Sequence, residues 1–112
     1  MYVEFLRSSY EVSEAGDGVA ALEAIEARVP DVVVTDLALP RMDGLQLVST
    51  LRRQERTADL PVIALSGYSG PEYEEKTRIA GTTLVLMKPC MPDALVEAIN
   101  KVLVGRFPGS AA

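Results

Sequence analysis

Three short apolar runs, DVVVTD, LPVIALS and TTLVLMK, constrain this chain more than any other feature. Each is apolar on both faces, the pattern of a strand buried in a parallel sheet between helices. Each also ends on a polar residue: Asp36, Ser66 and Lys88. The segments between them have helical periodicity. GVAALEAIEARV places Val19, Ala21, Leu22, Ile25 and Val29 on one face, with Asp17 as N-cap and Pro30 as the stop. LQLVSTLRRQE turns Leu45, Val48, Leu51 and Leu47 inward. GPEYEEKTRIAG reads as a polar helix opened by Pro71 and closed by Gly81. MPDALVEAINKVLV starts at Pro92 and turns Leu95, Ile99, Val102 and Leu103 inward. Ahead of the Gly16–Gly18 turn, YEVSEA reads as a further short strand. GRFPGSAA reads as a disordered tail. Strands alternating with helices give an α/β fold with right-handed crossovers. Ligands bind such sheets at the carboxyl ends of the strands, where Asp36, Ser66 and Lys88 stand.

Composition narrows the chemistry. The 112 residues make one domain. With 16 acids against 11 bases and a net charge of −5, the chain lacks the basic surplus of a nucleic-acid surface. It has one cysteine and no histidine, which excludes an internal disulfide and a His- or Cys-built zinc site. No apolar run reaches membrane-spanning length, and no basic stretch leads into an apolar one at the start. The expectation is a soluble cytoplasmic chain with neither nucleic acid nor membrane as partner.

Ser66 has no histidine to activate it, which argues against a serine hydrolase. No glycine-rich phosphate loop of the Walker or dinucleotide type is present. Asp36 remains as the nucleophile, and an aspartate can attack phosphorus to give an acyl phosphate. Lys88 offers a positive charge and Ser66 a hydroxyl donor; a divalent ion such as magnesium suits the remaining oxygens. Elsewhere, Asp43 reads as a turn or helix-cap acid, Cys90 as a small partly buried residue, and Glu72, Glu74 and Glu75 as a solvated helix face.

The motifs VVVTDLALPRMDG, PVIALSG and LVLMKPCMPDAL, in this order and at these separations, resemble the response-regulator receiver domain, the phosphoacceptor of two-component signalling. The resemblance runs from about Leu6 to Val104. It implies a flavodoxin-like parallel sheet flanked by helices on both faces, a receiver unit over residues 1–104 and a flexible tail over 105–112. It further implies that Asp36 accepts the phosphoryl group, that Ser66 binds a phosphoryl oxygen, and that Lys88 pairs with the phosphate. Pro89 would be the cis-proline that orients the lysine, and Pro40 and Gly44 would shape the loop below the site. Asp36 and the backbone carbonyl of Ala38 would be magnesium ligands. The implied partners are a histidine kinase or phosphotransfer protein and a downstream protein. The domain would assist its own phosphorylation and dephosphorylation without being a turnover enzyme.

Two departures from the family stand out. The switch aromatic would fall at Val85, and the loop around Tyr68 is the alternative route for a signal. The family's first strand and its acidic pair would lie upstream of Met1, because MYVEFLRSSYEV matches the end of the first helix and the second strand. The expectation is a receiver N-terminally truncated relative to the five-stranded form, with weak magnesium affinity and the YEV strand closing onto VVVTD. Its missing central strand would remove burial comparable to a whole domain's stability margin. Homodimerisation or element swapping is another way to cover the gap, and an antiparallel hairpin formed by MYVEFL is a third. Two rival functions follow: a pseudo-receiver that binds proteins without being phosphorylated, and a phosphatase using an aspartyl phosphate. The phosphatase reading wants an acid where Ala38 stands.

Overall fold

A computed structural model describes residues 6, 10–37, 42–67, 71–88 and 90–105. The elements are α1 (Gly18–Ala27), β1 (Val33–Asp36), α2 (Gly44–Arg52), a short 3-10 helix (Glu55–Thr57), β2 (Val62–Ser66), α3 (Pro71–Ala80), β3 (Leu84–Met87) and α4 (Pro92–Gly105). The strands form a parallel sheet in the order β1-β2-β3, with Val34 opposite Ile63 and Ala64 opposite Val85.

The local signals act as the sequence implies. The Asp17 carboxylate accepts from the Ala20 amide at 2.8 Å and starts α1, which ends ahead of Pro30. Asp43 and Gln46 form a reciprocal capping box at the start of α2. Gly81 closes α3 with φ +99°, and the amides of Gly81 and Thr82 both reach back to the Thr77 carbonyl.

Each face of the sheet has its own core, because side chains alternate along β2. Ile63 and Leu65 pack with Leu6, Cys90 and the Leu95, Ala98 and Ile99 stripe of α4. On the other face Val62 packs with Ile25 of α1, Leu47, Val48 and Leu51 of α2, and Leu60. Every residue of β2 is buried.

Four expectations need correction. YEVSEA forms no strand: residues 10–15 are irregular. A strand needs a ladder partner, and among the described residues β1 pairs only with β2. Side chains hold the segment instead: Tyr10 and Val12 pack beside Val32 and Val34, and the Tyr10 hydroxyl donates to Asn100 Oδ1 on α4 at 2.5 Å. The expected closure of YEV onto VVVTD is therefore absent among the described residues. Secondly, β1 and β3 are largely half-buried rather than buried, because among the described residues they form the two edges of the sheet. Thirdly, Leu45 is only half-buried, whereas Leu47 is fully enclosed. Lastly, Leu6 is helical, and the Tyr10 amide donates to its carbonyl at 2.8 Å. That i to i−4 bond fits the end of a helix rather than a hairpin strand. The rest of MYVEFLRSS and of the GRFPGSAA tail lies outside the described residues.

The sequence did not reveal the role of Arg52. Its Nε donates to the Gly81 carbonyl at 2.9 Å and its Nη1 to the Leu60 carbonyl at 2.6 Å, with the Thr57 and Ala58 carbonyls at 3.1 and 3.2 Å. One guanidinium thus ties the end of α2 to the turns before β2 and β3. Burial lowers its pKa from the ordinary value, and the charge of Asp59 acts in the opposite sense. A Cβ on Gly81 would lie 2.9 Å from Arg52 Cγ, so that turn requires glycine both for its backbone angle and for this close approach. Arg52→Met should lower stability by about 1–3 kcal/mol, because it removes the charged donor shared by the Gly81 and Leu60 carbonyls. Urea denaturation checks this, and Arg52→Lys should recover only part, since an ammonium cannot reproduce the guanidinium fork.

Candidate functional site

The site is assembled first by backbone register. Asp36 is the last residue of β1 and lies opposite Leu65; Ser66 is the last of β2 and lies opposite Met87. Two further bonds carry the parallel pairing past the strand ends. The Leu37 amide donates to the Leu65 carbonyl at 3.2 Å, and the Lys88 amide donates to the Ser66 carbonyl at 2.8 Å. All three polar residues therefore stand at one rim. Neighbouring strands lie about 4.8 Å apart, so the outer two are separated by about 10 Å. The long stem of Lys88 spans β2, and its Nζ donates to the Asp36 Oδ2 carboxylate oxygen. The lysine and aspartate side chains are 40% and 37% exposed, while Ser66 on the intervening strand is 1% exposed. An anion approaching this rim meets an accessible carboxylate and ammonium over a buried hydroxyl-bearing residue.

The loop after Asp36 is fixed at its return. The Gly44 amide donates to the Leu37 carbonyl at 3.1 Å. A Cβ on Gly44 would lie 2.7 Å from both the Asp36 carbonyl oxygen and Leu37 Cα, so only glycine lets α2 begin this close to the acid's own backbone. The Thr35 hydroxyl adds a 2.9 Å bond to the same Asp36 carbonyl. Met42 presses on the start of α1, where a Cβ on Gly18 would meet the Met42 carbonyl oxygen at 2.0 Å. Sequence reading marked Gly18 as a turn residue and missed this packing; the signal available was the Asp-Gly pair repeated at 17–18 and 43–44.

Ala38, Pro40, Tyr68 and Pro89 lie outside the described residues, and Val85 sits half-buried in β3 opposite Ala64. Among the described residues no group of three His, Cys, Asp or Glu side chains gathers. Magnesium is commonly held by one or two carboxylates, waters and a substrate's phosphate oxygens. The half-exposed Asp36 carboxylate at an open rim meets that minimal requirement.

Residues 2–100 match the family described as the response regulator receiver domain. The transcriptional regulatory protein PdtaR of Mycobacterium tuberculosis is 39% identical over 106 residues, covering 93% of this chain and 50% of PdtaR. This chain thus spans about half the length of that relative. The chemotaxis response regulator CheY4 of Vibrio cholerae superposes with a TM-score of 0.85 at 30% identity, covering 91% of this chain and 86% of CheY4. The receiver domain of the sensor histidine kinase PA1611 from Pseudomonas aeruginosa has a magnesium ion coordinated in its active-site cleft. It superposes with a TM-score of 0.82 at 28% identity, over 90% of this chain and 84% of that one. Among the described residues, no helix is long and apolar enough to cross a membrane.

The exposure of the Asp36–Lys88 pair implies that it does little for stability. Asp36→Asn and Lys88→Met should each change unfolding free energy by less than about 1 kcal/mol. Gly44→Ala should cost about 1–3 kcal/mol through the displaced Asp36 backbone. Parallel urea titrations of the three variants test the contrast.

Proposed function

This chain belongs to the response regulator receiver domain family, and from that premise we propose that it takes a phosphoryl group onto Asp36 from a histidine kinase or a phosphotransfer protein. The observation that carries the proposal is the Lys88 ammonium drawn across the sheet onto the Asp36 carboxylate. In the transfer, an Asp36 carboxylate oxygen forms a bond to phosphorus as the P–N bond of a phosphohistidine breaks. The electron pair of that bond returns to the imidazole. Asp36 goes from one negative charge to an acyl phosphate of about −1.5 to −2, which strengthens its attraction for Lys88. Lys88 then pairs with a phosphoryl oxygen, and the Ser66 hydroxyl turns to donate to another. Magnesium, when bound, neutralises phosphoryl charge during transfer. Asp36 and the Ala38 backbone carbonyl would hold it.

The output is a change in protein contacts. With Val85 in β3 there is no ring to swing, so movement of Ser66 toward the phosphate reaches the surface through the loop that follows β2. The chain is read as a cytoplasmic signalling unit over residues 1–104, engaging an upstream kinase and a downstream protein, and as a phosphoacceptor rather than a turnover enzyme. The second reading is a pseudo-receiver, a binding module that is never phosphorylated. It predicts that Asp36→Asn leaves partner binding unchanged.

Incubation with acetyl phosphate and magnesium should add one phosphoryl mass, seen by intact mass spectrometry and located by peptide mapping at Asp36. Asp36→Asn and chelation of magnesium should each abolish the gain. Lys88→Met should slow it by about a hundred- to thousandfold, the loss of one charge stabiliser. A folded sample that never gains mass would leave the pseudo-receiver reading in place.

A further inference from the structure

Between α2 and α3 lies an open groove of about 570 Å³ that none of Asp36, Ser66 and Lys88 lines. Its apolar lining comes from Met42, Leu45, Ile79 and Ala80. Ile79 is 71% exposed, the largest exposure among the large apolar side chains described. Two cations stand in its walls, Arg53 just past α2 and Lys76 on α3, one turn before Ile79 and Ala80. Among the described residues neither cation is held in an ion pair. Asp43 is the one carboxylate in the lining, and it is engaged in capping α2. In a chain of net charge −5, this groove is thus an apolar strip with a surplus of positive charge.

We propose that the groove docks an amphipathic helix of a partner protein, one whose apolar residues are flanked by carboxylates. The apolar strip would cover the partner's leucine- or phenylalanine-type side chains. Arg53 and Lys76, one on each side, would meet acids at the margins of that strip. A helix is the fitting shape because the lining belongs to two helices and the residues leading into α2, with no strand edge to pair an extended peptide. A helical ligand brings its backbone hydrogen bonds with it. The inference is independent of phosphorylation at Asp36.

The test uses a designed helical peptide with two leucines spaced i, i+4 and glutamates flanking them, and a second peptide with lysines in place of the glutamates. Amide chemical shifts of the full chain are followed during titration. The expected result is that the glutamate peptide shifts Met42, Leu45, Ile79 and Ala80. The double variant Arg53→Glu/Lys76→Glu, its fold checked by circular dichroism, should bind that peptide about tenfold more weakly and gain affinity for the lysine peptide. The proposal is overturned if the two peptides bind the native chain equally, if neither binds, or if the shifts fall outside the groove. Self-association of the chain at the same concentrations, abolished by the double variant, would give the groove to a second copy and also overturn it.

Discussion

Parallel pairing with its register held to the last residue is the constraint on which the rest of the structure depends. In a parallel sheet all carboxyl ends lie on one rim, so three residues far apart in the chain become neighbours without any local motif joining them. Here the register runs past the strands themselves, through the Leu37 and Lys88 amides. A slip of one residue would turn Asp36 or Lys88 to the opposite face and separate the pair. Burial on both faces of β2 resists that slip: Ile63 and Leu65 are committed to one core and Val62 to the other. The energetics of packing thus fix the geometry of the charged rim.

The rim is polar, yet its precision comes from close backbone approaches. Gly44 lets α2 start against the Asp36 carbonyl, and Gly18 lets Met42 rest on the start of α1. Capping at Asp17 and Asp43 then fixes where both helices begin. At the opposite end of the sheet Arg52 performs the corresponding task, binding together the turns that lead into β2 and β3. The strand ends carrying the site are thereby held between a glycine-fitted loop and an arginine-tied base. A carboxylate on such a support loses little further freedom when it reacts or binds.

Much of this was legible in the chain. The three apolar runs gave β1, β2 and β3; Asp17, Asp43, Gly81 and Pro92 marked helix ends; and the residues closing the runs proved to share one rim. The misreadings have a common physical source. Strand propensity in YEVSEA says that the segment suits a ladder, not that a ladder partner is at hand, and propensity in a strand is largely a statement about neighbours. Similarly, an apolar run such as LVLM does not say whether it is central or at an edge, so β3 read as buried and proved half-buried. Leu45 and Leu47 both fit one amphipathic stripe, and only the position of the sheet decides between them. The role of Arg52 was invisible because its acceptors are backbone carbonyls, which carry no sequence signal.

The Asp36–Lys88 pair illustrates how a feature can be informative about function and nearly irrelevant to folding. Both side chains retain more than a third of their exposure, so water screens their attraction. A lysine recruited for stability would gain more by solvating its ammonium and packing its stem on the surface. Instead the stem crosses a strand to reach a single carboxylate, while the residue between them, Ser66, is buried. On the phosphoacceptor reading this arrangement has a direct rationale. The positive charge is already stationed where negative charge would increase, so little reorganisation accompanies phosphoryl transfer. The buried serine lies on the strand with the most complete packing, and the residue that follows it, Gly67, is exposed. On that reading a gain of charge beside the tightly packed β2 would be accommodated beyond its carboxyl end, because Val85 in β3 offers no ring to move.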